Sequence, residues 1–218
     1  MDWEAKLAWA DAERGRRRAA EPRPGERDDL RLAGIAGASW AAGLAALMLG
    51  REDEARRRLV VAADEYAASW RAAPAGSWGR PIAAMRCRLI AGDLTGARGD
   101  ATASLAAGAL DAPGPIGGYC ATLALLVVGR DADARDVAAR IAAEGLEPRS
   151  VADALAAIAR ADRAGYERAR VAVLRSFEER DAFLEGVPVA DTVLVLDALA
   201  SERGLDPPPL SSDLLPAS

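Results

Sequence analysis

The 218-residue chain has no histidine, asparagine or glutamine, and its single lysine, Lys6, stands against 27 arginines, a bias that fits a GC-rich bacterial genome. Without histidine there is no Ser-His-Asp or Cys-His relay, no His-ligated zinc and no imidazole acid–base step. Catalysis would have to rest on Asp, Glu, Tyr, Cys or Lys6. Two cysteines, Cys87 and Cys120, are too few for a metal cluster or a disulfide framework. We read them as small buried fillers in the reducing cytoplasm, with a single bridge between them left open. Aromatic residues make up only 5% of the chain, and strand-length β-branched runs are nearly missing.

Alanine is what the chain has in abundance, with 53 residues. Cores built from it require helices that approach closely. The net charge of −5 and pI near 5.0 argue against nucleic-acid binding, which needs a basic surface. The start, Met1-Asp2-Trp3-Glu4, has neither the basic nor the apolar region of a signal peptide. Residues 32–50 carry no charge and could just span a bilayer. They are mostly Ala and Gly, however, whose transfer is weakly favourable, so a buried helix and no membrane partner is the expectation.

Turn signals divide the chain into one domain with four parts: a helix over residues 1–20, a Pro-rich linker over 21–27, a helical array over 28–204 and a Pro-rich tail over 205–218, expected to be extended and semi-rigid. Asp28 or Asp29 is expected to cap the first helix of the array. Within it one grammar recurs. Leu47-Met48-Leu49-Gly50-Arg51-Glu52-Asp53-Glu54-Ala55-Arg56 is answered by Leu89-Ile90-Ala91-Gly92-Asp93-Leu94-Thr95-Gly96-Ala97-Arg98 and by Leu126-Val127-Val128-Gly129-Arg130-Asp131-Ala132-Asp133-Ala134-Arg135. Ala164 to Arg170 makes a fourth, degraded copy that has lost the turn glycine, so the starts are spaced by 42, 37 and 35 residues. Glycine after the first helix suits a left-handed residue, and alanine five positions on lets the second helix come close. Ala55, Leu59, Ala62, Tyr66 and Trp70 then form an apolar stripe at helical spacing. Pro81, Pro115, Pro148 and Pro188 sit near expected helix starts.

This Gly-x-x-x-x-Ala turn, with Gly43 seven residues before Gly50 and Ala62 seven after Ala55, resembles the tetratricopeptide repeat over roughly residues 30–184. The turn signals divide the chain into about ten helices, and the resemblance implies an all-α fold: a right-handed stack of antiparallel helix hairpins, an α-solenoid. Phe183-Leu184-Glu185-Gly186-Val187-Pro188, the run from Leu194 to Leu205, and Ser212-Asp213-Leu214-Leu215-Pro216 are similar to the close of the immunity protein 49 family. That family is thought to neutralise polymorphic toxins.

No constellation for chemistry emerges. Neither Gly34-Ile35-Ala36-Gly37 nor Gly114-Pro115-Ile116-Gly117-Gly118 offers the Lys-Ser/Thr of a phosphate loop. Asp131, Asp133 and Asp136 lack the other ligands of a calcium loop. Glu178, Glu179, Asp181 and Glu185 read as the solvated half of a helix, and the runs Arg16 to Arg18 and Arg56 to Arg58 as surface charge. The chain is therefore expected to be a non-enzymatic protein-binding module without a cofactor, and an immunity-like protein opposing a toxin is its specific form. Trp40, Trp70, Arg71, Trp78 and Arg80 are the candidate partner-binding residues, because Trp and Arg are enriched among interface anchors. The alternative is a carboxylate-based enzyme or sensor acting on a small molecule inside the array.

Overall fold

The structure, a computed structural model, describes residues 1–22, 25–146 and 148–217. Arg23 and Pro24 of the expected linker and Ser218 of the tail lie outside the described residues. Among those described there are ten α-helices and no strand: α1 (Trp3–Ala19), α2 (Asp28–Met48), α3 (Glu52–Ala72), α4 (Gly79–Ile90), α5 (Leu94–Ala106), α6 (Gly114–Val127), α7 (Asp131–Ala143), α8 (Arg149–Ala159), α9 (Arg163–Glu178) and α10 (Asp191–Ser201). The fold is all-α, consistent with a helical bundle or solenoid.

The repeated turns have one backbone solution. Gly50, Gly92 and Gly129 take φ of +70°, +71° and +77°. In each turn the glycine N–H donates three residues back, and the next N–H five residues back, as from Arg51 to the Ala46 carbonyl, Asp93 to Arg88 and Arg130 to Leu125. This pair of bonds satisfies carbonyls that the helix end would otherwise leave open. The fourth turn uses the same bonds, from Ala161 to Ile158 and from Asp162 to Ala157. Its left-handed residue is Ala161, at φ +53°, so the fourth copy begins three residues earlier than its sequence suggests. The periodic signal is lost there because alanine occupies the glycine position. Asp93 and Asp162 cap the following helices by accepting from the N–H groups of Gly96 and Gly165.

Five residues after the three glycines, Ala55, Ala97 and Ala134 are buried, as the repeat grammar requires. Between α2 and α3 the approach is close at Gly43, where an added Cβ would lie 2.7 Å from Leu59 Cγ. Asp28 and Asp29 prove to be first-turn residues of α2; Arg27 occupies the cap position and makes no side-chain capping bond.

Each helix from α1 to α9 packs on the next in chain order, but α10 turns back to pack on α4 as well as on α8 and α9. The segment before it, with Val187 and Val189 buried, joins the core of α1 to α4. One core cluster thus surrounds α2 and α3, a second surrounds α6, α8 and α10, and Ile90 and Leu194 pack against both. The tail is tied down rather than free: the Ala190 N–H donates to the Leu214 carbonyl, and Arg170 donates to the Pro208 carbonyl at 2.8 Å. α2 is long and apolar enough to cross a membrane, yet 67% of its apolar window is buried inside the protein.

The left-handed alanine is the weak point of this repeat. Ala161→Gly is expected to raise stability by about 1 kcal/mol, since a Cβ in that region costs about that much, whereas Gly50→Ala lowers it by a similar amount. Urea unfolding monitored by circular dichroism checks both signs.

Candidate functional site

A cavity of about 260 Å³ opens where α10 folds back. Its lining comes from α2 (Trp40), α4 (Arg86), α6 (Ile116, Tyr119), α8 (Val151) and α10 (Asp191, Thr192), with Phe177 of α9 and the stretch that follows it. Four of the chain's ten aromatic residues, Trp40, Tyr119, Phe177 and Phe183, meet here. Phe177 and Phe183 are tilted at 35° with ring centroids 6.4 Å apart, and the Arg180 guanidinium lies 3.7 Å above the Phe177 ring. Such a cation over a ring face is attracted by the ring quadrupole. Ile116 and Leu184, 53% and 64% exposed, stand on the cavity's edge as uncovered apolar side chains.

The polar part of the cavity centres on Arg86. Its Nη2 forms an ion pair with Asp191 Oδ2 at 2.5 Å and donates to Thr192 Oγ1 at 3.0 Å. Its Nε is buried without a hydrogen-bond partner, an arrangement that ordinarily costs free energy. Asp191 is itself buried, at the first turn of α10, so Arg86 supplies the charge that makes its burial tolerable. Burial works against the Arg86 cation, but Asp191 outweighs it and holds the guanidinium firmly protonated. Burial also pushes the Tyr119 hydroxyl above the ordinary phenol range, with Arg86 nearby acting in the opposite sense. That hydroxyl makes no hydrogen bond among the described residues.

The wall after α9 is held in place from the far side of the cavity. Glu185, at φ +51°, is a non-glycine residue in the left-handed region. Its carboxylate accepts from Arg17 Nη1 at 2.9 Å and Nη2 at 3.1 Å, and its carbonyl accepts from Lys6 Nζ at 2.5 Å. A Cβ on Gly37 would come within 2.8 Å of Glu185 Oε1, so the small residue leaves room for this carboxylate. Glu185 was expected on the solvated half of a helix. Instead α9 ends at Glu178, and the paired arginine draws the Glu185 side chain in to 15% exposure.

The residues selected from sequence are not brought to one place. Trp40 lines the cavity. Trp70 and Trp78 form a separate pair at the α3–α4 junction, with centroids 6.4 Å apart and planes tilted by 48°. Arg71 is exposed beside them. Arg80 turns inward, donating to Asp29 Oδ2 at 2.9 Å and to Ser69 Oγ at 3.1 Å. Arg86, Tyr119 and Asp191 were missed. The available signal was an acid, Asp191, set in the apolar run Val187-Pro188-Val189-Ala190-Asp191-Thr192-Val193-Leu194, since a carboxylate buried there needs a cation.

A groove of about 490 Å³ along α7, α8 and α9 is lined largely by alanine. Asp29 and Asp191, the buried acids among the described residues, lie apart, each on arginine partners. Three further carboxylates, from Asp64, Asp93 and Asp100, gather on one guanidinium, that of Arg88, each at 2.7 Å. No group of His, Cys, Asp and Glu suited to hold a metal ion occurs among the described residues. In comparisons with known proteins, no family model, no curated protein and no solved structure matches the chain.

Burial raises the Asp29 carboxyl, but hydrogen bonding to Arg27 and the charges of Arg27 and Arg80 outweigh it and hold the group below its ordinary value. A carboxylate depressed on folding contributes stability that is full above its unfolded pKa, about 3.9, and is lost as pH falls through the folded value. Asp29→Asn is therefore expected to lower stability at pH 7 and to flatten the acid limb. Thermal melts from pH 7 to pH 2.5 test this, and equal acid limbs would contradict it.

Both cysteines are buried and free, and burial pushes each thiol up to about 12. Neither is poised as a nucleophile. Native protein at pH 8 is expected to leave both unreacted towards a disulfide reagent such as dithionitrobenzoate, with two thiols titrating once guanidinium unfolds the chain.

Proposed function

We propose that the chain is a non-enzymatic protein-binding module whose cavity receives an anchor side chain of its partner. The observation that carries this reading is the combination of an aromatic-walled cavity with the uncovered apolar residues Ile116 and Leu184 on its edge. Buried aromatic pockets ringed by apolar contacts are where interface energy concentrates.

The repeat turns favour a finer architecture: a right-handed, tetratricopeptide-like stack in which α2/α3, α4/α5, α6/α7 and α8/α9 are antiparallel hairpins. The cavity lining fits it, because α2, α4, α6 and α8 would be the inward-facing first helices. In an open array that face accepts an extended peptide. In this arrangement α10 and residues 179–190 would lie across it, leaving room for a side-chain-sized group.

An immunity-like role, in which the chain neutralises a basic toxin in the cytoplasm, is the specific form we favour. The C-terminal sequence likeness and the net charge of −5 support it, since charge complementarity speeds association. Nucleic acid and membrane are not proposed as partners. A small-molecule sensor is the second reading, favoured by the cavity's modest volume of about 260 Å³. Acid–base catalysis at this site draws less support, because Asp191 is committed to Arg86.

Affinity capture from the native host at modest salt, with Ile116→Glu and Leu184→Glu alongside, tests the docking reading. Both substitutions are at exposed positions and are expected to shift stability by no more than about 0.5 kcal/mol while weakening capture of the same protein at least about tenfold. Capture that is indifferent to both would move the interface elsewhere.

A further inference from the structure

The cavity specifies more than an apolar anchor. Its charged groups are Arg86, Arg180 and Asp191, and Asp191 is already engaged by Arg86. Arg86 spends only Nη2 on the described residues; its Nε is buried, and its Nη1 carries no hydrogen bond among them. The Tyr119 hydroxyl, on the same lining, is likewise unengaged. The cavity therefore offers donors in excess, one positive charge beyond the Arg86–Asp191 pair, that of Arg180, and aromatic walls. A neutral amide head would bring N–H donors into a site with few acceptors to spare. A carboxylate brings acceptors alone, and its hydrogen bond from a guanidinium N–H is charge-assisted.

Volume limits the rest of the group. A cavity of roughly 150 Å³ suffices for benzene. The space here, about 260 Å³, accommodates one ring and a short acid arm. The rings of Trp40, Phe177 and Phe183 on the lining supply the aromatic contacts that a ring prefers.

We propose that this cavity binds a single-ring aromatic carboxylate, its ring among Trp40, Phe177 and Phe183 and its carboxylate accepting from Arg86 Nη1 and the Tyr119 hydroxyl. This rests on the reading of the cavity as a docking site and names the chemistry docked there. The same head and ring occur in a free aromatic acid and in a polypeptide that ends in phenylalanine.

Titration calorimetry on the full chain separates these sources. The probes are benzoate, phenylacetate and 3-phenylpropanoate, each with its amide, and an N-acetylated tetrapeptide ending in Phe with a free or amidated terminus. At least one acid is expected to bind about tenfold more tightly than its amide. Preference for the free-ended peptide over the small acids identifies a chain terminus as the source, and the reverse identifies a free acid. Tyr119→Phe, which removes a hydroxyl with no protein partner, is expected to keep the melting temperature and weaken the acid about three- to tenfold. Arg86→Gln strips Asp191 of its cation and can unfold the chain, so Tyr119→Phe carries the test. Equal binding of acid and amide, failure of every acid to bind, or indifference to Tyr119→Phe overturns the assignment. Should capture of a protein still depend on Ile116 and Leu184 in those cases, docking stands and only the carboxylate falls. Should an acid bind while no protein is captured, the carboxylate stands and the small-molecule reading replaces the protein partner.

Discussion

Close approach of helix backbones through small side chains is the constraint on which the rest of the structure depends. In a chain with 53 alanines and ten aromatic residues, apolar burial must come from many short contacts between nearby helices. Each repeat turn arranges this locally. A left-handed residue reverses the chain, two backbone bonds close the helix end, and a buried alanine five residues after each of Gly50, Gly92 and Gly129 sets the second helix against its neighbours. At Gly43 the approach leaves no room even for a methyl group without displacing Leu59.

Alanine-rich packing leaves the few large side chains free to mark particular places. Trp40, Tyr119, Phe177 and Phe183 converge where α10 returns to α4, and there an ion pair between Arg86 and Asp191 is enclosed by apolar walls. That pair ties the first turn of α10 to α4, as Arg17 and Lys6 tie Glu185 to α1. The cavity thus owes its shape to polar contacts between residues 17 and 185, and 86 and 191, that are far apart in the chain. Fixing a wall from behind leaves the inner surface free to meet a ligand.

Local grammar was legible in the sequence, and long-range return was not. The glycines at 50, 92 and 129, the buried alanines and the helix boundaries follow from backbone preferences that act over a few residues. Ala161 escaped because its left-handed conformation is imposed by the bonds around it and not by its own residue type. The inward turn of α10 escaped because an apolar helix after a loop can pack on either side of an array, and the ion pair that accompanies its return joins Asp191 to Arg86, more than one hundred residues earlier. For the same reason tryptophan content pointed to two places at once. Trp40 belongs to the cavity, whereas Trp70 and Trp78 pair with each other at the α3–α4 junction.

Those two places can be told apart directly. Amide hydrogen exchange of the chain with and without its captured partner reports which backbone becomes protected. Protection concentrated in residues 114–120 and 180–192, with none added at residues 68–80, is the predicted result. Protection confined to residues 68–80, around Trp70, Arg71 and Trp78, would contradict the cavity as the functional site.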